Sequence, residues 1–347
     1  MLRLGGAEAL AASAREHAAF QRARGVKSAT DVLRLALMYG PGGLPLRVLA
    51  AAAAEMGIAD VSDVALLNRI RGAADWLEAL CGEALARAAR IHATTRPDRP
   101  ISIIDGSRIN GPGAAAWRLH LCYDPHGGRV LAAAITTTRE GERLDRLPVT
   151  AGEIRLGDRG FPQPNGLKNT REAEADVLVR VTWNSLRLTD SDDCPLDWLE
   201  LCATASAQGS VDLPVRVHKA HGRFAPLDLR LVILPKPPLA AAQARVQARR
   251  ENRKGGRRRL DPRTLAAADH LILLTSLTPE AFSAARLAAL YRVRWQIELA
   301  FKRMKSLLHI DRLPAKDPAL ARAWLHAHLL VALLAEATIE EIEALPP

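Results

Sequence analysis

The densest group of reactive side chains lies in Tyr291-Arg-Val-Arg-Trp-Gln-Ile-Glu-Leu-Ala-Phe-Lys-Arg-Met-Lys305. On a helix turning about 100° per residue, Tyr291, Arg294, Glu298 and Lys305 fall within a strip roughly 60° wide, so a phenol, two bases and an acid face one place. Val293, Ile297, Ala300, Phe301, Met304 and Leu308 form a broad apolar arc beside that strip, which seats such a helix against a core. Two chemistries fit. Arg294 and Glu298, four residues apart, can form a solvated ion pair worth roughly 0.2–0.5 kcal/mol. Alternatively, Glu298 meets other carboxylates at a metal ion while the bases hold an anionic substrate beside it. That second reading needs earlier acids, and two follow short apolar runs: Asp105 after Ile101-Ser-Ile-Ile, and Asp158 after Ile154-Arg-Leu-Gly. Ligands collect at strand ends of open α/β sheets, although each aspartate alone is equally a turn-former or a helix cap.

The surrounding pattern supplies elements to position these residues. Residues 1–96 read as helical, rich in Ala, Leu and Arg, with breaks at Gly25, Gly40-Pro41-Gly42-Gly43 and Gly57. Leu44 to Met56, a link to Val61, and a second helix capped by Ser62 and running through Leu66, Ile70 and Trp76 have helix-turn-helix proportions, or those of a plain helical hairpin. In the first case Asn68, Arg69 and Arg71 would meet a DNA groove. After Arg96-Pro-Asp-Arg-Pro100 the period changes from 3.6 to 2. Ile101–Asp105 is predicted as a short strand ending in its acid, then Trp117–Cys122 and Val130–Thr136 as strands joined by Asp124-Pro-His-Gly-Gly128. A fourth strand stops at Asp158, and a helix follows from about Leu167 to Ala175.

Residues 97–175 and 266–347 are thus expected to form the two parts of an α/β core, with 176–265 a β-rich insertion between them; three antiparallel strands near an acidic strand end fit an RNase H-like sheet, and periodicity alone fits other α/β sheets as well. Within that insertion, Lys236–Arg263 carries ten Lys and Arg against Glu251 and Asp261. It reads either as a solvated loop or as an arm that tracks phosphates. Thr278-Pro279-Glu280 is predicted to start one helix of roughly thirty residues, ended by Pro314.

With 347 residues the chain can hold two or three domains. A net charge of +10 favours a polyanionic partner. The four cysteines, Cys81, Cys122, Cys194 and Cys202, contain no C-x-x-C, which argues against a thiolate zinc site and a disulfide framework. The N-terminus lacks the pattern of a secretory signal and no long uncharged apolar run occurs, so the expected location is the cytoplasm, with no membrane partner.

The spacing Tyr-x2-Arg-x3-Glu-x6-Lys, together with Asp105-Gly-Ser and Leu-Gly-Asp158-Arg-Gly-Phe, resembles the signature of cut-and-paste DDE transposases of insertion-sequence family four. The resemblance covers about residues 25 to 335 and implies a helical DNA end-binding domain before an RNase H-like catalytic domain. It implies that Asp105, Asp158 and Glu298 are catalytic and hold two Mg²⁺ ions, with Mn²⁺ as substitute. It also implies that Tyr291, Arg294 and Lys305 hold the DNA end. Arg159, Arg257, Arg258 and Arg259 are further candidate DNA contacts, with Trp183 or Trp198 as a platform for a flipped base. The implied partners are double-stranded DNA at terminal inverted repeats, target DNA, and a second copy of the chain. A catalytically silent DNA-binding regulator and a structure-specific nuclease are the alternatives.

Overall fold

The computed structural model describes residues 4–91, 99–113, 116–219, 225–254 and 259–343. Five helices come first: α1 (Gly6–Glu16), α2 (Ala29–Tyr39), α3 (Leu46–Glu55), α4 (Asp63–Arg71) and α5 (Ala74–Ile91). Side-chain caps start two of them: Ser28 Oγ accepts from the Asp31 N–H and Ser62 Oγ from the Ala65 N–H, each occupying a donor the first turn leaves open. The helix starting at Ser62 is shorter than expected. It stops at Arg71 beside Gly72, and Trp76, fully buried, belongs to α5. Nor is the basic face of α4 wholly free: Arg71 pairs with Asp317 at 2.9 Å and the Arg69 guanidinium lies 6.0 Å from the Phe20 ring centre, while Asn68 is exposed.

The strands are β1 (Ile101–Asn110), β2 (Ala116–Asp124), β3 (Arg129–Thr137), β4 (Ile154–Gly157), β5 (Asp176–Arg180), β6 (Arg187–Thr189), β7 (Val211–His218), β8 (Leu227–Pro235) and β9 (His270–Thr275). Between and after them come α6 (Pro164–Glu172), α7 (Trp198–Gln208), α8 (Pro238–Lys254), α9 (Pro262–Ala268), α10 (Ala284–Arg292), α11 (Trp295–Leu307) and α12 (Pro318–Glu343). One mixed sheet holds all nine strands in the order β3-β2-β1-β4-β5-β9-β8-β7-β6. β4 runs parallel to β1 and β5 parallel to β4, while the remaining neighbours are antiparallel.

The period-2 alternation of strands separates two cores across this sheet. Leu156, Leu178, Val232 and Leu273 face a core shared with α2, α5, α11 and α12. Val177, Val179, Leu231, Ile233 and Leu274 face the other, which includes Leu167 of α6 and Trp198 of α7. β1 does not end at Asp105; it continues to Asn110, paired with β2 as far as Ala116. The boundary drawn after residue 175 falls just before β5, which pairs with both β4 and β9. β6, β7 and β8 extend that same sheet beyond β9.

The basic segment from Lys236 is neither loop nor bare arm where described. It is mostly α8, with Arg249, Arg250, Arg253 and Lys254 exposed, and α9, capped by Asp261. Arg257 and Arg258 lie outside the described residues. The long helix predicted from Thr278 is also broken. Pro279–Ala281 form a turn, Ser283 caps α10, and α11 begins only after a joint at Val293–Arg294. At that joint Val293, Arg294, Gln296 and Ile297 donate to carbonyls three residues back, the tighter 3₁₀ spacing. The apolar arc still faces inward, with Ile297, Ala300, Phe301 and Met304 buried. Among the described residues α12 is the one helix long and apolar enough to cross a membrane, yet 67% of its most apolar window is buried inside the chain, as in a core helix.

Candidate active site

Strand register brings the two aspartates together. Ile104 of β1 is the partner of Gly157 of β4 in the parallel pair, so the next residues, Asp105 and Asp158, stand at one level on neighbouring chains. Asp105 Oδ1 accepts from the Gly106 N–H at 2.7 Å, and Asp158 Oδ1 from the Gly160 N–H at 2.7 Å. Burial pushes the Asp105 carboxyl up to about 7, against the Gly106 hydrogen bond; Asp158 and Glu142 add to the rise and Arg294 opposes it.

Glu298 approaches through Arg294. The guanidinium donates from Nη2 to Glu298 Oε1 at 2.6 Å, while Nη1 lies 3.7 Å from Asp105 Oδ2. Tyr291 lies beneath it, buried, with its ring centre 5.9 Å from the guanidinium carbon and its phenol pushed by burial up to about 12. The ion pair four residues apart is therefore present, and its guanidinium also lies within ion-pair distance of Asp105. Among the described residues no three His, Cys, Asp or Glu side chains converge as a metal-binding group. A guanidinium occupies the place between Asp105 and Glu298 that a cation's charge would fill.

Two cavities adjoin these groups. One, of about 720 Å³, is lined by Asp105, Glu298, Lys302, Lys305 and His309. The other, of about 850 Å³, is lined by Asp158, Arg159, Trp183, Arg259, Tyr291 and Arg294. Arg159 lies 3.6 Å from Glu251 of α8, and Arg259 is exposed. Trp183 donates from Nε1 to Thr264 Oγ1 at 3.0 Å and carries the Arg263 guanidinium 3.9 Å from its ring centre. Trp198, in contrast, is buried in the core at the start of α7 and lines neither cavity, which removes it as a stacking platform. His126 stays in its turn, its N–H donating to Asp124 Oδ1 at 2.9 Å.

Sequence reasoning missed three residues here. Arg180, at the end of β5, and Lys236 line the larger cavity. Burial and the nearby Arg180 charge lower the Lys236 ammonium to about 8. Glu142, between β3 and β4, has its carboxylate 3.7 Å from Arg118, and burial raises its acid above the usual range. No spacing rule marks Glu142; the one available signal was an acid in the connection leading from β3 to the strand that carries Asp158.

Carboxylates at the end of a parallel strand pair are hard oxygen donors of the kind divalent cations take, and bases stand beside them. In agreement, residues 96–334 match the family model described as Transposase DDE domain, and the chain belongs to that family. Its members are divalent-metal-dependent, DNA-cleaving and strand-transferring enzymes. Among relatives, the InsL proteins of insertion sequence elements IS186A and IS186B of Escherichia coli (strain K12) are each 41% identical over 349 residues, 99% of this chain and 94% of each relative. The transposase for insertion sequence element IS421 of Escherichia coli is 41% identical over 350 residues, with the same coverage.

Proposed function

We propose that this chain is a cut-and-paste transposase of insertion-sequence family four, with Tyr291, Arg294, Glu298 and Lys305 as its signature. The observation that carries the reading is the register that sets Asp105 beside Asp158, with Arg294 linking Asp105 to Glu298. The order β3-β2-β1-β4-β5, antiparallel then parallel, supports an RNase H-like catalytic core. Residues 1–96 serve as the end-binding domain, 97–175 and 266–347 as the core, and 176–265 as the insertion.

Asp105, Asp158 and Glu298 are the residues that would hold Mg²⁺, or Mn²⁺ in its place, as two ions. When bound, the metal supplies an activated water or 3′-hydroxyl and a stabilised leaving oxygen. Arg294 pairs with Glu298 and lies within ion-pair distance of Asp105. Once its positive charge is supplied otherwise, its planar fork is free to grip phosphate oxygens with two donors. Lys305 adds a positive charge in the cavity of Asp105 and Glu298, and Tyr291 supports the guanidinium from below. Trp183 is the remaining aromatic platform for a displaced base. The full reaction would nick at terminal inverted repeats, form and reopen a hairpin, and join the ends to target DNA, with two copies of the chain acting in the cytoplasm on the nucleoid.

The test is strand cleavage of the element's own terminal DNA in Mg²⁺ by the intact chain and by Glu298→Gln, with binding followed in Ca²⁺. The intact chain is expected to cut at the terminus. The variant should bind equally and cut at least about a hundredfold more slowly, since losing a ligand exceeds the cost of losing a ligand's partner. Binding without cutting by either chain would instead identify a silent regulator. Cutting that needs no terminal repeat and joins no strands would identify a structure-specific nuclease.

A further inference from the structure

Glu142 reaches between the two strands that carry the aspartates. A β-carbon built at Gly106, next to Asp105, would fall 3.0 Å from Glu142 Oε1; one built at Gly160 would fall 2.7 Å from Glu142 Oε2 and 3.1 Å from Asp158 Oδ1. Both separations from Glu142 are to the end of its flexible side chain, so they measure how close its carboxylate lies to the residue after Asp105 and to the turn after Asp158. Arg118, the cation at 3.7 Å, stands beyond hydrogen-bond distance, so it holds Glu142 only loosely. Meanwhile Asp158 and Glu298 line different cavities, and Glu298 is bound to Arg294. Glu142 is therefore an acid lying near both aspartates, although the three carboxylates do not converge as one group in this arrangement; like charges held this close are relieved when a cation draws them together.

We infer that Glu142 is a further carboxylate donor to the divalent cation held at Asp105 and Asp158. The inference rests on the metal-carboxylate reading of this site. It requires Glu142 to matter for metal affinity itself, whatever the fate of DNA.

The test is Mn²⁺ binding to the full-length chain without DNA, followed by the electron paramagnetic resonance of free Mn²⁺. The intact chain is compared with Glu142→Gln, Glu142→Asp and Asp105→Asn. Glu142→Gln is expected to bind Mn²⁺ about 10- to 100-fold more weakly, and Glu142→Asp to recover part of that loss. In EDTA, Glu142→Gln should melt no lower than the intact chain, because it removes a charge from a repelling group. Unchanged Mn²⁺ affinity in Glu142→Gln alongside lost affinity in Asp105→Asn overturns the role of Glu142 and leaves the aspartate site standing. A lower melting temperature in EDTA likewise overturns it, in favour of a structural pairing with Arg118. If Asp105→Asn binds as well as the intact chain, or the intact chain binds no Mn²⁺, the metal reading fails and takes Glu142 with it.

Discussion

Asp105 is a half-buried acid with another acid near it, and that has a consequence for pH. Its carboxyl titrates at about 7 in the folded chain, against 3.8 for the ordinary side chain. The folded state therefore binds a proton more tightly than the unfolded one between these values, and this residue's contribution to stability falls as pH rises through that window. Other groups titrate too: His326 and His328, lowered by burial to about 4, act in the opposite direction. The clean quantity is a difference. In EDTA, Asp105→Asn should gain stability relative to the intact chain as pH rises from about 4 to 7, measured by urea unfolding at each pH. A constant difference would show that Asp105 carries no such strain. Asp105, Asp158, Tyr291, Arg294, Glu298 and Lys305 could be picked out as candidates because their types and spacings are local facts. The position of Glu142 could not be, because its closeness to Gly106 in β1 and to Gly160 in the turn after β4 joins distant segments, and no single stretch encodes that meeting.

At the scale of elements, β4 is held in place by an unusual member. Arg155 is fully buried, ion-paired with the buried Glu153 at 2.7 Å. It also donates to the carbonyls of Leu144 at 3.0 Å, Leu147 at 2.9 Å and Pro148. This clamp fixes the connection just after Glu142 against the strand that leads to Asp158. Arg155→Met should cost about 3–5 kcal/mol, because Glu153 is left charged and buried without a partner. Adding Glu153→Leu should recover only part, since the three carbonyls still lack a donor. Equilibrium unfolding of both variants checks this; full recovery in the double variant would mean the carbonyl contacts contribute nothing. Several elements were legible in the sequence, including β2, β3 and β4 from hydrophobic period and the cap at Ser62 from its residue type. The break at Val293–Arg294 was not, because the composition there favours helix on both sides and only tertiary seating of Tyr291 and Ile297 decides the joint. The start at Thr278-Pro279-Glu280 failed for a related reason: cap, proline and acid also suit a turn, and Ser283 supplied a second cap five residues later.

At the scale of the molecule, the change of period after residue 100 marks where the first strand begins, but the segment 176–265 holds α7, α8 and part of α9 as well as strands. Period could not reveal that β6–β8 join the same sheet as β1, because strand order depends on pairing between distant segments. That continuity means the insertion shields β9. If residues 181–269 were replaced by a short linker, β9 would lose β8 and become an open rim. Its unpaired amides, flanked by Ile272, Leu273 and Leu274, would then form a template for another chain. Such a shortened protein should associate with rising concentration in light scattering, whereas a monodisperse monomer would show that β9 tolerates exposure. If it associates, the pairing of β8 with β9 is what keeps this rim closed to other chains.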